Sequence, residues 1–324
     1  MKKIGIFALE NCMHSSVTGA FDILTVASSE WKKLYGENNG DLFGLTIFTD
    51  NGQNVTSFNG IKIEAHKGRN ECDDLDIIFI PVVHGELDSI LTSKGLIDWL
   101  YQQHKKGVII CAVCAGVFLA AQTGILNNRK ATTHWQLADD FQERYPEVVL
   151  KKEQMIVDEG VVITAGGVTA YMDLALYLAG RFGTPELTSI LSKLLLIDPA
   201  RRLQTPYKGF DFNKLHSDQE ILKVQNWMAE NITKSITVPG MAQRAGLGVR
   251  TFMRRFKKST GDTPTEYLQH LRIGKARSLL ETTSESFDTI TCGVGYEDVS
   301  SFRRLFKKST GLSPAAYRKR FGLY

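Results

Sequence analysis

At 324 residues the chain is too long for one ordinary domain and comfortable for two. With 43% apolar residues it can bury real cores, yet no stretch reaches the roughly 18 uncharged apolar residues of a membrane span, and five unevenly spaced cysteines exclude a disulfide-stapled scaffold. The net charge of +4 hides a division: residues 220–324 carry 18 Lys and Arg against 9 Asp and Glu, while residues 1–219 are net acidic, so the back of the chain is the part suited to phosphate.

The opening MKKIGIFALE has an apolar run of only about five residues before Glu10, too short for a signal peptide, so a cytoplasmic protein with reduced cysteines is expected. Short apolar runs at 4–9, 45–48, 77–80, 108–111 and 161–164 suit strands buried on both faces of a parallel sheet. Helix-period segments alternate with them at 17–34, 90–104, 117–124, 135–144 and 170–182, and a helix at 185–197 starts with a proline. This alternation predicts an α/β sandwich over residues 1–197. Residues 198–216, with two prolines, a glycine and no period, read as a linker. Ser217 stands three residues before Glu220, the pattern of a capping box, and opens an all-α region over 217–324.

In the first region, VIICAVCAGVFLAAQTG at 108–124 runs an apolar strand straight into Cys114, with Ala112 and Gly116 on either side and a helix pattern behind. Small residues flanking a sharp strand-to-helix turn make a nucleophile elbow, and the helix N-terminus is expected to lower the thiol pKa. His134 follows in ATTHW. Cys111 and Cys114 have dithiol spacing, but Cys111 falls within the strand and the interior lacks Gly-Pro; the histidines show no metal-ligand spacing, and neither metal nor cofactor is expected.

Cys-x-Gly at Cys114, Thr-His-Trp at Thr133–Trp135, and Thr-x-Gly-Gly-Val-Thr-Ala-x-x-Asp from Thr164 to Asp173 resemble the ThiJ/PfpI superfamily. These proteins are related to class I glutamine amidotransferases, and the match is especially to the version fused to AraC-type domains. The resemblance implies a flavodoxin-like sandwich with a parallel sheet, and often a dimer. Two departures count against catalysis. The acid that holds the cysteine in relatives matches Ser16 here, and their Pro-Gly-Gly loop reads Pro81-Val82-Val83. Glu10, Asp22 and Glu86 are candidate substitutes among which the sequence does not choose. A Cys–His pair without an orienting acid is a poor catalyst, so Cys114, His134 and Ser16 are expected to line an effector pocket made from an old active site. The alternative is a cysteine-dependent hydrolase or glyoxalase-like enzyme using Cys114 and His134 and carrying a DNA-binding tail.

The second region contains a repeat. TFMRRFKKSTGDTPTEY at 251–267 and SFRRLFKKSTGLSPAAY at 301–317 match at ten of 17 positions without a gap. Each copy reads as a helix-turn-helix: 238–244, a turn at Ala245-Gly246-Leu247 and 250–259; then 287–293, a turn at Gly295-Tyr296, one residue longer, and 299–309. Phe252, Phe256, Phe302 and Phe306 face inward. These residues, with Pro264, Pro314 and Tyr317-Arg318, resemble the AraC/XylS family of bacterial transcription activators. The resemblance implies base contacts from Arg250, Met253, Arg254, Val299, Ser300, Arg303 and Arg304. Lys257, Lys258, Lys307 and Lys308 are expected to grip phosphate. The whole chain is thus expected to be a sequence-specific regulator of transcription, an activator by resemblance, bound to double-stranded promoter DNA on the bacterial nucleoid. A homodimer, contact with RNA polymerase and control by a small-molecule effector of the nitrogenous kind follow from the same resemblance; no membrane is involved.

Overall fold

The computed structural model describes residues 1–85, 87–210 and 212–323, Ser89 in its backbone only. The chain divides into two units, Met1–Gln204 and Thr205–Tyr324.

The first unit is built on a seven-stranded sheet in the order Ile156–Asp158, Val162–Ala165, Ile109–Val113, Ile77–Ile80, Lys2–Phe7, Phe43–Thr49, Lys67–Gly68. Neighbours are parallel except for the edge strand Ile156–Asp158, which runs antiparallel to Val162–Ala165. Ile4, Ile77, Ile78, Ile110 and Ile163 are fully buried, which explains why these strands read as unbroken apolar runs. Helices His14–Tyr35, Ala170–Phe182 and Pro185–Leu194 pack together as one group, and Asp88–Leu91, Lys94–Lys105 and Gly116–Gln122 as another. The helix expected at 90–104 is therefore two, separated where Ser93 takes ψ 87. The helix expected to reach 197 stops at Leu194, because Leu196 adopts a left-handed φ of 53. The edge strands Lys67–Gly68 and Ile156–Asp158 were not legible in the apolar runs. Both are short, and an edge needs less apolar sequence than a strand covered on both faces.

Among its described residues the second unit holds seven α-helices: Gln219–Glu230, Val238–Arg244, Val249–Thr260, Pro264–Thr282, Phe287–Gly293, Val299–Thr310 and Pro314–Phe321. It has two separate cores. Phe252, Phe256 and Tyr267 pack with Ile221, Val224, Met228 and Met241 in the first; Phe302, Phe306 and Tyr317 pack with Ile273, Ala276, Leu280 and Ile290 in the second. The long helix Pro264–Thr282 gives Tyr267 and Leu268 to one core and Ile273, Ala276 and Leu280 to the other, so one element carries both halves.

Two local expectations shift. The N-cap of the first of these helices is Asp218, not Ser217: its carboxylate accepts from the Ile221 N–H at 3.3 Å and is gripped by Arg255 through Nε at 2.8 Å and Nη2 at 2.7 Å. Residues 198–216, expected as a linker, straddle the division after Gln204, and several of the described ones are tied to their own unit. The Met155 N–H donates to the Arg202 carbonyl at 2.9 Å and the Gln204 N–H to the Glu153 carbonyl at 2.8 Å. Past the boundary, the Arg277 guanidinium donates to the carbonyls of Pro206 and Lys208, and the Phe210 ring stacks on His270 at 4.7 Å. Polar backbone and aromatic side chains pin this segment without any helical or strand period, which is why it read as unstructured.

Candidate functional site

The phenylalanines, threonine, glycine, proline and tyrosine that the two copies of the second unit share turn out to be scaffold. In each copy the last recognition-helix phenylalanine meets the tyrosine ring edge-on, Phe256 with Tyr267 at 5.3 Å and Phe306 with Tyr317 at 5.4 Å. Thr260 Oγ1 donates to the Phe256 carbonyl and Thr310 Oγ1 to the Phe306 carbonyl, both at 2.8 Å. Gly261 and Gly311 end the helices with φ of 83 and 75, a conformation that costs a side chain most and glycine least. Pro264 and Pro314 then start the next helix behind the N-caps Thr263 and Ser313.

What remains exposed is the other face. Arg250, Met253 and Arg254 stand out from Val249–Thr260, and Ser300, Arg303 and Arg304 from Val299–Thr310; Val299 is half-buried. Lys257, Lys258, Lys307 and Lys308 are exposed in the last turns, where cations also suit the helix dipole. Val249, the fifty-residue counterpart of Val299, is 42% exposed and joins this face; the repeat itself carried that signal. Arg255 does not join it, because it is committed to Asp218.

The two tips differ electrostatically. In the first copy the N-cap is Gly248, which has no side-chain cap, whereas Asp298 caps the second helix through the N–H groups of Ser300 and Ser301 at 2.9 and 3.2 Å. The Ser301 hydroxyl, which donates to Oδ2 at 2.7 Å, and those N–H bonds hold the Asp298 carboxyl below its usual range. Arg304 Nη2 donates to Ser301 Oγ at 2.8 Å, and Arg303 lies over the Phe287 ring at 5.6 Å beside Asp288. These exposed tethers are weak, so both arginines can exchange them for an external acceptor. Arg272, half-buried in the connecting helix, donates to the carbonyls of Ile232 at 2.9 Å and Lys234 at 2.8 Å and lies over the Tyr296 ring in the second copy's turn. It ties the loop before the first copy to the turn of the second, a link the sequence reading missed.

In the first unit the elbow is real. Cys114 takes φ 56 between Ile109–Val113 and Gly116–Gln122, and a Cβ on Gly116 would overlap the Pro81 carbonyl, so the turn demands glycine there. The expected fall in thiol pKa does not occur. Burial pushes the Cys114 thiol up to about 11, against the lowering effect of the Ala115 and Gly167 amides. Cys111 is driven up further by burial within the sheet.

The side chains of Ser16 and His134, expected to line one pocket with Cys114, are each engaged by backbone. Ser16 is fully buried and spends its hydroxyl on backbone, donating to the Met13 carbonyl at 2.7 Å and accepting from the Val82 N–H at 3.2 Å. His134 Nδ1 accepts from the Gln136 N–H at 3.2 Å, and burial lowers its pKa. Among the described residues no hydrogen bond joins Cys114 Sγ to either. Of the candidate acids, Glu10 accepts from the Thr56 N–H at 3.0 Å, Asp22 lies within His14–Tyr35, and Glu86 lies outside the described residues. At pH 7 a thiol with this pKa is about one part in ten thousand thiolate. Iodoacetamide should therefore label Cys292, the one exposed cysteine of the five, and leave Cys114 unlabelled until the protein is unfolded. Peptide mapping that finds Cys114 alkylated first in the native protein would refute this.

The structural surprise is Gln204. Its side chain is 2% exposed, its Nε2 donates to the carbonyls of Thr133 at 2.8 Å and Gln154 at 2.9 Å, and its Oε1 accepts from the Trp135 N–H at 3.2 Å. Thr133 Oγ1 in turn donates to the Cys114 carbonyl at 2.7 Å. A Cβ on Gly166 would overlap Gln204 Nε2, so glycine is what lets the amide seat.

Comparison with known proteins respects the same division. The DJ-1/PfpI family model matches residues 14–180, and a helix-turn-helix domain model matches residues 241–320. The HTH-type transcriptional regulator CdhR of Pseudomonas aeruginosa is 26% identical over 282 residues, covering 85% of this chain and 81% of that protein. The HTH-type transcriptional regulator GbdR of the same species is 25% identical over 299 residues, covering 91% and 78%. A solved AraC family transcriptional regulator from Pseudomonas putida superposes with a TM-score of 0.52 at 19% identity, covering 60% of this chain and all of that one, a likeness of fold.

Proposed function

The chain belongs to the DJ-1/PfpI family with a helix-turn-helix domain behind it, and from that premise we propose that it is a DNA-binding transcriptional regulator whose first unit senses a small molecule. The observation that carries this reading is the pair of recognition helices: one scaffold used twice, with exposed basic faces and different tips. A helix in the major groove reads bases from such a face and positions itself by phosphate contacts around it. Arginine is the strongest reader because it donates twice to one guanine edge. Arg250, Arg254, Arg303 and Arg304 are therefore assigned most of the discrimination, Met253, Val299 and Ser300 the flanking contacts, and the four lysines the phosphate grip. Since Arg250 faces Ser300 and Met253 faces Arg303 across the repeat, the two halves read different bases.

The first unit binds and does not turn over. That reading is supported by the protonated, buried Cys114, by Ser16 in place of an acid and by the absence of a described bond from the thiol to His134. Regulators named among the relatives support the same assignment. We take the working form to be a homodimer that activates transcription through RNA polymerase; pairing two first units would raise affinity by effective concentration.

Selection from a randomised duplex library should enrich a bipartite site whose halves lie about one helical turn apart. On that duplex, Arg254→Ala and Arg304→Ala should each cost about 1–3 kcal/mol and relax one half, while Lys257→Ala should weaken all sequences alike and lower the salt slope by about one. Enrichment of no sequence by the unmutated protein would defeat the proposal.

A further inference from the structure

A cavity of about 520 Å³ lies in the first unit under the segment that leads out of it. Its walls are Met155 and Ile156 at the sheet edge and Leu176 and Tyr177 of helix Ala170–Phe182, and residues 199, 201, 202 and 203 close it. The wall is largely apolar, and its charges are unevenly matched. Asp173 is held by Arg201, whose Nε donates to Oδ1 at 3.0 Å and whose Nη2 bonds Oδ2. Asp158 accepts from Arg181 Nη1 at 2.6 Å and from the Tyr177 hydroxyl at 2.5 Å. Both carboxylates are thus neutralised where they stand. Arg202 also lines the cavity and is exposed, and among the described residues its guanidinium makes no hydrogen bond or ion pair. One unengaged positive charge beside a half-open, largely apolar cavity suits an organic anion with an apolar body, since either feature alone would leave half of the site unsatisfied.

We propose that this cavity, and not the surroundings of Cys114, is where the first unit takes its small molecule, and that the molecule is a carboxylate with an apolar body. The proposal rests on reading the first unit as a sensor and deepens that reading by giving the site a place and a chemistry. The place matters because the chain leaves the first unit there. The covering segment is joined to the sheet edge by the Gln154–Leu203 bridge and by Gln204, and the next residue, Thr205, opens the second unit. A ligand seated against residues 199–203 favours one arrangement of this segment over another, and such differential affinity is what coupling to a distant site requires. A ligand at Cys114 would act on the segment at second hand, as through Thr133 and Gln204.

The test uses the full chain labelled with ¹³C-methyl methionine, in which Met155 is assigned by a Met155→Leu variant, and hexanoate as the probe with hexanol as its uncharged counterpart. Hexanoate should shift the Met155 methyl signal saturably. Hexanol, and hexanoate on the exposed-site variant Arg202→Gln, should bind about ten-fold more weakly, the loss of one charge-assisted hydrogen bond. Cys114→Ala should leave hexanoate binding unchanged. A Met155 signal that hexanoate does not move, or that hexanol moves equally well, overturns the site. Adding the selected duplex separates this from the regulator reading: saturable binding at Met155 without any change in DNA affinity keeps the site and sinks the sensor.

Discussion

Phe306→Ala should unfold the second helix-turn-helix half and leave the core of the first standing. Phe306 is fully buried, lies edge-on to Tyr317 at 5.4 Å and sits 5.9 Å from Phe287. Truncating a buried phenylalanine costs about 3–5 kcal/mol, because the transfer term is lost and the cavity does not collapse. That is most of what a small domain has to lose, since whole domains are stable by only about 5–15 kcal/mol. The core it belongs to is separate from that of Phe252 and Phe256, so the damage has a natural boundary within Pro264–Thr282. Hydrogen exchange should show protection lost over residues 287–321 and kept over residues 221–260. Binding to the selected duplex should fall to the level of a single half, with preference kept only at the bases read by Arg250 and Arg254. Equal loss of protection in both halves would mean that the two cores fold as one and would remove the structural basis for assigning them separate bases.

The contrast between what the sequence announced and what it concealed comes from the range of the interactions. Gly261, Pro264 and Phe256 act within one turn or one short connection, through φ, a missing N–H and a helix face. Such rules are local, and the second copy at fixed spacing repeats them, so the helices of the second unit could be placed almost to the residue. The central strands were legible for a related reason, because burial on both faces leaves only apolar residues. Cys114 was half legible: its flanking small residues announced the turn, but not that desolvation would outweigh the amides of Ala115 and Gly167. Ser16 looked like a vacant catalytic position and is instead a backbone clasp between Met13 and Val82. Arg272 and Gln204 gave no signal at all. Each satisfies carbonyls distant in sequence, Arg272 at Ile232 and Lys234, Gln204 at Thr133 and Gln154, and no periodicity records a bond of that kind.

Gln204→Leu is the second large effect, and it is expected in the segment that ends the first unit. The carboxamide has two donor hydrogens, so of the acceptors around Nε2 the two nearest, the Thr133 and Gln154 carbonyls, take them. Leucine keeps most of the volume and removes every side-chain bond. The Gln154 carbonyl still accepts from Thr132 Oγ1 at 2.8 Å, which leaves the Thr133 carbonyl and the Trp135 N–H as the groups stranded. Each buried polar group left unpaired costs about 1–3 kcal/mol, so the variant should lose about 2–6 kcal/mol from the seating of residues 198–204. Arg201 and Arg202 lie in that stretch and are tryptic sites, protected in the native chain by the backbone bonds from Met155 and to Glu153 and by the grip of Arg201 on Asp173. Limited trypsinolysis should therefore leave the unmutated chain whole and cut the variant after Arg201 or Arg202, releasing two fragments that correspond to the two units. In the same variant the selected duplex should still bind, because the recognition helices are untouched, while any response of DNA affinity to hexanoate should vanish. An unchanged cleavage rate would show that Gln204 holds nothing in place. Cleavage with the hexanoate response intact would show instead that the signal leaves the first unit by another route.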